Sequence, residues 1–206
     1  NLAPRINAAG RLGQADLALE LLLTTDPGKA QSLAQQLTEL NNHRQTIEAE
    51  ILQQALEAVE LTWPPEDKAI VVAGVGWHSG VVGIVASRLV EIYYRPVVVI
   101  SLDGTEGHGS ARSIPGLNIY TALTQCADCL QGFGGHSGAA GLTIVADKVD
   151  EFRERLCQVV DSMLTPEDLV PQVQIAATAE VSDLTEDFIA ELHNLEPFGI
   201  GNSKPI

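Results

Sequence analysis

Hydrophobic and polar positions change period several times along the 206-residue chain, and each change marks an element. Leu33, Leu37, Leu40, Ile47, Ile51, Ala55 and Ala58 recur at helical spacing, so they line one face of an α-helix. Asp26-Pro27 opens that helix, because aspartate accepts from the free first-turn amides and proline has its φ already set. Trp63-Pro64-Pro65 closes it. The result is a connector helix of roughly 30 residues, about 45 Å long at ~1.5 Å per residue. Ahead of it, residues 2–13 form a loop rich in Asn, Gly and Arg. Ala15, Leu19 and Leu22 or Leu23 then mark a short helix over about 14–23.

Past the prolines the pattern becomes that of an α/β unit. AIVVA (69–73) and PVVVISL (96–102) are near-continuous apolar runs, which is how strands buried on both faces read. Residues 107–113 and 140–145 give two more strands. Helices are predicted from Val81, Ile84, Val85, Leu89 and Ile92, over 117–130, and over 149–163. The alternation predicts a mixed or mostly parallel sheet covered by helices. After Pro166, residues 173–181 read as a strand and 185–194 as a short helix. The expected organisation is therefore an inter-domain loop and long connecting helix over 1–65, an α/β domain over 66–165, and the truncated start of a further domain over 166–206. The chain opens on Asn1-Leu2 without Met and stops at Lys204-Pro205-Ile206, so both ends are expected to be cuts through something longer.

Composition sharpens this in three respects. With 45% hydrophobic and 19% charged residues, the chain has the balance of a folded domain. No apolar run approaches the ~18 residues of a membrane span, and three cysteines suit a reducing cytoplasm better than a disulfide framework. The net charge of −15 argues against broad nucleic-acid binding, but it is unevenly placed. Residues 147–196 carry 13 acids against 3 bases, a solvated acidic face. In the first 146 residues Arg5, Arg11, Arg88 and Arg112 stand in or beside glycine-rich turns, where local potential can still favour a phosphate.

Four segments could carry chemistry. Gly74 to Gly80 (GVGWHSG) joins a strand to a helix, with Ser79 as the expected N-cap and His78 beside it. Free amides there can bind an anion, although such glycines are also ordinary turn residues. Ser110, Arg112 and Ser113 in GSARS put a guanidinium and two hydroxyls on a short strand, suited to phosphate oxygens or simply to a surface edge. The stretch from Gly132 to Gly141 is the densest in glycine; around Gly134, Gly135 and His136 a backbone can approach a ligand closely. Arg5, Asn7 and Arg11 sit in PRINAAGR. Two other signals are discounted. Cys126 and Cys129 have redox or zinc spacing but lie on a predicted helix with no second pair. His78, His108 and His136 fall in separate loops whose convergence spacing cannot establish.

Taken in order, these blocks resemble the RecJ family of DHH phosphoesterases. PRINAAGR (4–11), LNNHRQ (40–45) with Glu48, WHSGVVGIVASRL (77–89), GSARS (109–113), GGHSGAAG (134–141) and LEPFGIGN (195–202) cover nearly the whole chain. The resemblance implies a DHH-associated domain over 66–165 and the start of an OB-fold domain after it. It further implies a cytoplasmic single-strand-specific 5′→3′ DNA exonuclease of repair and recombination. Manganese or magnesium would be bound by Asp and His of a DHH domain that this chain lacks. No catalytic or metal residue is then expected here, and the chain alone should be inactive. Ser110 and Arg112 would anchor a 5′-terminal phosphate; Gly134, Gly135 and His136 would face the metals; Arg5, Asn7 and Arg11 would support the strand path. Single-stranded DNA with a 5′ end is the implied partner, alongside a helicase or single-strand-binding protein. A DHH-family cyclic-dinucleotide or short-oligonucleotide phosphodiesterase would share the GGH block, but not PRINAAGR or the PFGIGN tail. A non-catalytic binding module would have no DHH motif upstream.

Overall fold

The computed structural model describes residues 2–199 and 201–206. Asn1, and Ile200 of the LEPFGIGN block, lie outside the described residues. The chain divides into two compact units, one running to Leu169 and the other Val170–Ile206.

The first unit opens with α1 (Ala3–Arg11), α2 (Ala15–Leu23) and α3 (Pro27–Thr62). The expected loop over 2–13 is therefore wrong: Pro4 starts a helix, and Ala8 and Ala9 are buried. Alanine's helical preference and that burial outweigh the Asn and Gly content. With Ala18 and Leu37, Ala9 forms a small core between α1, α2 and the first half of α3. Asp26 caps α3 by accepting from Gly28 and Lys29 amides at 2.8 and 3.3 Å. At 36 residues α3 is longer than the spacing predicted, about 54 Å.

The α/β part comprises β1 (Ile70–Val75), α4 (Ser79–Tyr93), β2 (Val97–Asp103), β3 (Glu106–Arg112), α5 (Ile119–Thr124), β4 (Gly132–His136), β5 (Ala139–Val145) and α6 (Val149–Met163). The strands form one mixed sheet in the order β1-β2-β3-β5-β4, with β1 and β2 parallel and the other pairs antiparallel. Two expectations need correction. The helix over 117–130 ends at Thr124, and Cys126–Cys129 lies in a separate 3₁₀ turn. The glycine stretch is no loop either: Gly132–His136 is a strand, hairpinned onto β5.

Alternation sorts the two sheet faces. Ile70, Val72, Val97 and Val99 pack with Ile51, Ala55 and Val59 of α3 and Val81, Val85 and Leu89 of α4. Val71, Val98, Ile100, Ala111, Leu142 and Ile144 pack on the other face with Ile119, Leu123, Phe152, Leu156 and Val160. Each Val, Leu, Ile or Phe among these contributes about 1.5–3 kcal/mol through burial, and the alanines less.

In the second unit, α7 (Glu186–His193) is capped by Thr185, whose Oγ1 accepts from the Phe188 amide at 3.2 Å. The strand expected over 173–181 is absent: the segment is irregular, with Val173, Ile175 and Val181 exposed. A strand needs a neighbour for its amides and carbonyls, and among the described residues no strand runs beside this segment; a single backbone bond, from the Ala176 amide to the Ile206 carbonyl at 2.8 Å, reaches it.

Candidate nucleic-acid interface

The corner between β1 and α4 is set by Trp77. Its ring packs over Gly74, where any Cβ would meet it at 2.1 Å, and its indole N–H donates to Gln54 Oε1 of α3 at 2.7 Å. The Ser101 hydroxyl donates to the Trp77 carbonyl. That anchoring aims the start of α4, but the cap differs from the sequence expectation. His78 is the N-cap, its Nδ1 accepting from the Gly80 amide at 3.1 Å, and Ser79 is the first helical residue. A hydroxyl was expected because serine caps more often; here the imidazole two residues before the amide does the same work.

At this helix start α1 meets α4 backbone to backbone. A Cβ on Gly80 would lie 2.1 Å from the Arg11 carbonyl oxygen, and Arg11 Nη1 donates to the Gly80 carbonyl at 2.9 Å. The contact forms one wall of a cleft of about 730 Å³ whose lining includes Asn7, Arg11, Ser79, Gly80, Gly83 and Ser110. Four residues singled out from three separate motifs thus converge on one cavity.

Strand alternation puts Ser110 and Arg112 on the face of β3 that meets α4. Gly83 is where they fit: a Cβ there would stand 2.9 Å from both Arg112 Nη2 and Ser110 Oγ. Arg112 is held by two further bonds, Nε to Ser87 Oγ at 3.2 Å and Nη1 to its neighbour's carbonyl, Ala111 O, at 2.8 Å. Burial holds its pKa below the ordinary arginine value, and the positive charge of Arg11 lowers it further. Arginine nonetheless stays protonated at any working pH. Among the described residues no carboxylate forms an ion pair with Arg112 or Arg11. Two guanidinium groups of like charge, one of them half-buried, stand together with no carboxylate paired to either among the described residues, on a chain of net charge −15.

Beyond β3 the same sheet face is bare. The register places Ser110 opposite Gly141 and Gly141 opposite Gly134, while Arg112, Ala139 and His136 share the next row. Gly134, Gly141 and His136 are exposed. A Cβ on Gly134 would meet nothing within 4 Å, so the fold itself does not require glycine there. Gly135 is different: at φ +153° its Cβ would run into Ala139 O at 2.3 Å, so its glycine serves the hairpin. His136 Nδ1 accepts from the Gly138 amide at 3.2 Å, fixing the ring at the hairpin turn.

Three other predicted residues are placed apart. Ser113 turns into its own loop, its hydroxyl donating to Leu117 O at 2.8 Å, and it lines a second cavity with Ser137 and Gly138. Arg5 Nε donates to Thr38 Oγ1 at 3.0 Å, tying α1 to α3. His78 is occupied as a cap. The sequence reading missed Gly83 and Ser87; their signal was a small-residue stripe with Gly80 at helical spacing. Among the described residues no group of three or more His, Cys, Asp or Glu could hold a metal ion.

Comparison with known proteins finds relatives of the whole chain. The DHHA1 domain family matches residues 66–162. The single-stranded-DNA-specific exonuclease RecJ of Bacillus subtilis is 45% identical over 206 residues, covering 99% of this chain and 26% of its own length. Crystal structures of RecJ from Thermus thermophilus, one in complex with Mg2+ and one with Mn2+, match at 38% identity with a TM-score of 0.88. They cover 98% of this chain and 31% and 30% of their own. The chain therefore spans between a quarter and a third of the length of these relatives.

Proposed function

This chain is a RecJ homologue that carries a DHHA1 domain, and from that premise we propose that it is the strand-holding part of a single-stranded-DNA-specific 5′→3′ exonuclease. The observation that carries the reading is the pairing of Arg11 and Arg112 without a carboxylate, at one end of a bare sheet face. A phosphate is the ligand this arrangement suits. It balances the two positive charges, accepts from forked guanidinium N–H groups and the Ser110 hydroxyl, and lies at the positive end of the α4 dipole. The open surface over Gly141 and Gly134 then lets a nucleic-acid backbone lie directly on the sheet, with His136 at its far side.

In this reading the chain binds and orients, and phosphodiester hydrolysis belongs to residues outside it. A divalent metal, magnesium or manganese, would activate water and stabilise the displaced phosphate there. The unit Val170–Ile206 is proposed as the opening of an OB-fold, its exposed Val173 and Ile175 awaiting strands to pair with. A cytoplasmic setting and partners such as a helicase or single-strand-binding protein belong to the same proposal.

The test is end discrimination in the full-length exonuclease. A terminal phosphate is a dianion, so Arg112→Ala should weaken binding of 5′-phosphorylated strands more than of 5′-hydroxyl strands. Loss of a charge-assisted bond of ~1.5–3 kcal/mol corresponds to roughly 10- to 150-fold in affinity. Arg112→Lys should restore only part, since an ammonium lacks the fork. Equal losses on both ends would make Arg112 a strand-tracking residue and remove end recognition from the account.

A further inference from the structure

His108 takes part in none of the contacts described so far, yet strand alternation gives it the sheet face of the phosphate cleft. On β3 the odd positions point the other way. A Cβ on Gly107 would meet Ile100 and Ile144, and one on Gly109 would meet Leu142, all residues of the core shared with α5 and α6. Arg112, Ser110, His108 and Glu106 therefore stand in file on the α4 side, at steps of about 6.8 Å. Gly83 of α4 packs on Ser110 and Arg112, whereas the His108 side chain is 54% exposed. Its Nε2 stands 3.9 Å from Glu106 Oε2, beyond hydrogen-bonding reach. Across the sheet His108 lies opposite Thr143, and Thr143 opposite Gly132, whose Cβ would meet nothing within 4 Å. The row Ser110–Gly141–Gly134 is thus bordered by Arg112 and His136 on one side and by His108 and Thr143 on the other. Along the strands alone His108 and His136 are roughly 14 Å apart, too far to share a metal ion.

A strand step on β3 is comparable with one nucleotide of an extended single strand. A phosphate seated between Arg11, Arg112 and Ser110 therefore has its successors within reach of the next position in the file. The group standing there is an imidazole, which carries a ring N–H in either protonation state and so can donate to a phosphate oxygen whether charged or neutral. The Thr143 hydroxyl opposite adds a second donor. Glu106, in the row after that, repels a further phosphate and closes the file. We propose that His108, with Thr143 beside it, binds an internucleotide phosphate within the first two linkages of the strand. This rests on the phosphate reading of Arg11 and Arg112 for where the 5′ end lies. Unlike Arg112, His108 then meets a monoanion that every strand carries, so it grips 5′-phosphorylated and 5′-hydroxyl strands alike.

The test measures affinity in the full-length exonuclease for oligodeoxynucleotides carrying one uncharged methylphosphonate linkage. That linkage is placed first or second from the 5′ end, or well downstream. His108→Ala should weaken binding of the all-phosphate strand about 3- to 10-fold, equally for both kinds of 5′ end. His108→Lys should keep affinity within about twofold, and Thr143→Val should lose less than His108→Ala. When the first or the second linkage is neutral, His108→Ala should cost nothing further at one of those two positions. When the downstream linkage is neutral, its full loss should remain. A full loss whichever linkage is neutral overturns the proposal, as does no loss at all in a variant that melts like wild type. A loss in His108→Lys as large as in His108→Ala makes the imidazole structural and overturns it too. A loss confined to 5′-phosphorylated strands would put His108 on the terminal phosphate, again against the proposal. Coupling to an early linkage, in an enzyme where Arg112→Ala weakens both ends equally, supports His108 and overturns the end-recognition reading instead.

Discussion

Glycine at position 134 is the residue that separates fold from function most cleanly. A strand glycine costs roughly 0.5–1 kcal/mol relative to alanine, and here neither a strained φ nor a crowded neighbour requires it. Gly134→Ala should therefore leave thermal stability unchanged or raise it, while weakening single-stranded DNA binding several-fold by lifting the strand off the sheet. Denaturation and binding measured on the same preparation check this; a loss of stability, or intact binding, would contradict it. Gly135→Ala has the opposite expectation in kind, since its Cβ would strike the Ala139 carbonyl. Sequence could not separate the two neighbours, because composition shows where glycines stand but not which way the missing side chain would point. Arg112 was legible as a candidate for phosphate binding by residue type. Its proximity to Arg11 was not, as 100 residues of chain separate them and only the crossing of α1 over the start of α4 joins them.

At the scale of elements, period carried most of the fold. Four of the five strands (β1, β2, β3 and β5) and the helices α2, α3, α4 and α6 follow from runs and spacings within a few residues of their ends. The misses have a common physical origin: tertiary context overrode local composition. α1 is helical because Ala8 and Ala9 are buried. β4 is extended because β5 pairs with it, and 173–181 stays irregular where no strand does. The Cys126–Cys129 turn shows the same effect, since the helix expected through it breaks at Thr124 and sinks both sulfurs into the core. Burial pushes the Cys126 thiol up to about 11 and the Cys157 thiol up to about 12, so both stay protonated near neutral pH. Replacing Cys126 and Cys129 together by alanine should cost packing stability and leave DNA affinity unchanged. Thiol alkylation of native protein at pH 8 should be slow at Cys126 and Cys157. Fast labelling at either, or a loss of DNA affinity in the double variant, would show that the turn does more than pack.

For the molecule as a whole, an acidic chain can hold an anionic polymer only where its positive groups are concentrated and its acids kept away. Within the first unit, Asp150, Glu151, Glu154 and Asp161 belong to α6, which packs on the sheet face opposite α4, whereas Arg11 and Arg112 meet at the start of α4. Over short range, two guanidinium groups near one phosphate outweigh a diffuse negative background that salt screens within ~10 Å. The central claim is that these two arginines share one phosphate, and a double-mutant cycle tests it most directly. Arg11→Gln, Arg112→Gln and the double variant are compared in the full-length exonuclease, by affinity for a 5′-phosphorylated strand at fixed salt. Shared binding predicts strong coupling, with the double variant losing little more than the worse single one. Fold-losses that simply multiply would mean that the two arginines bind different phosphates, or none in common, and would contradict the account.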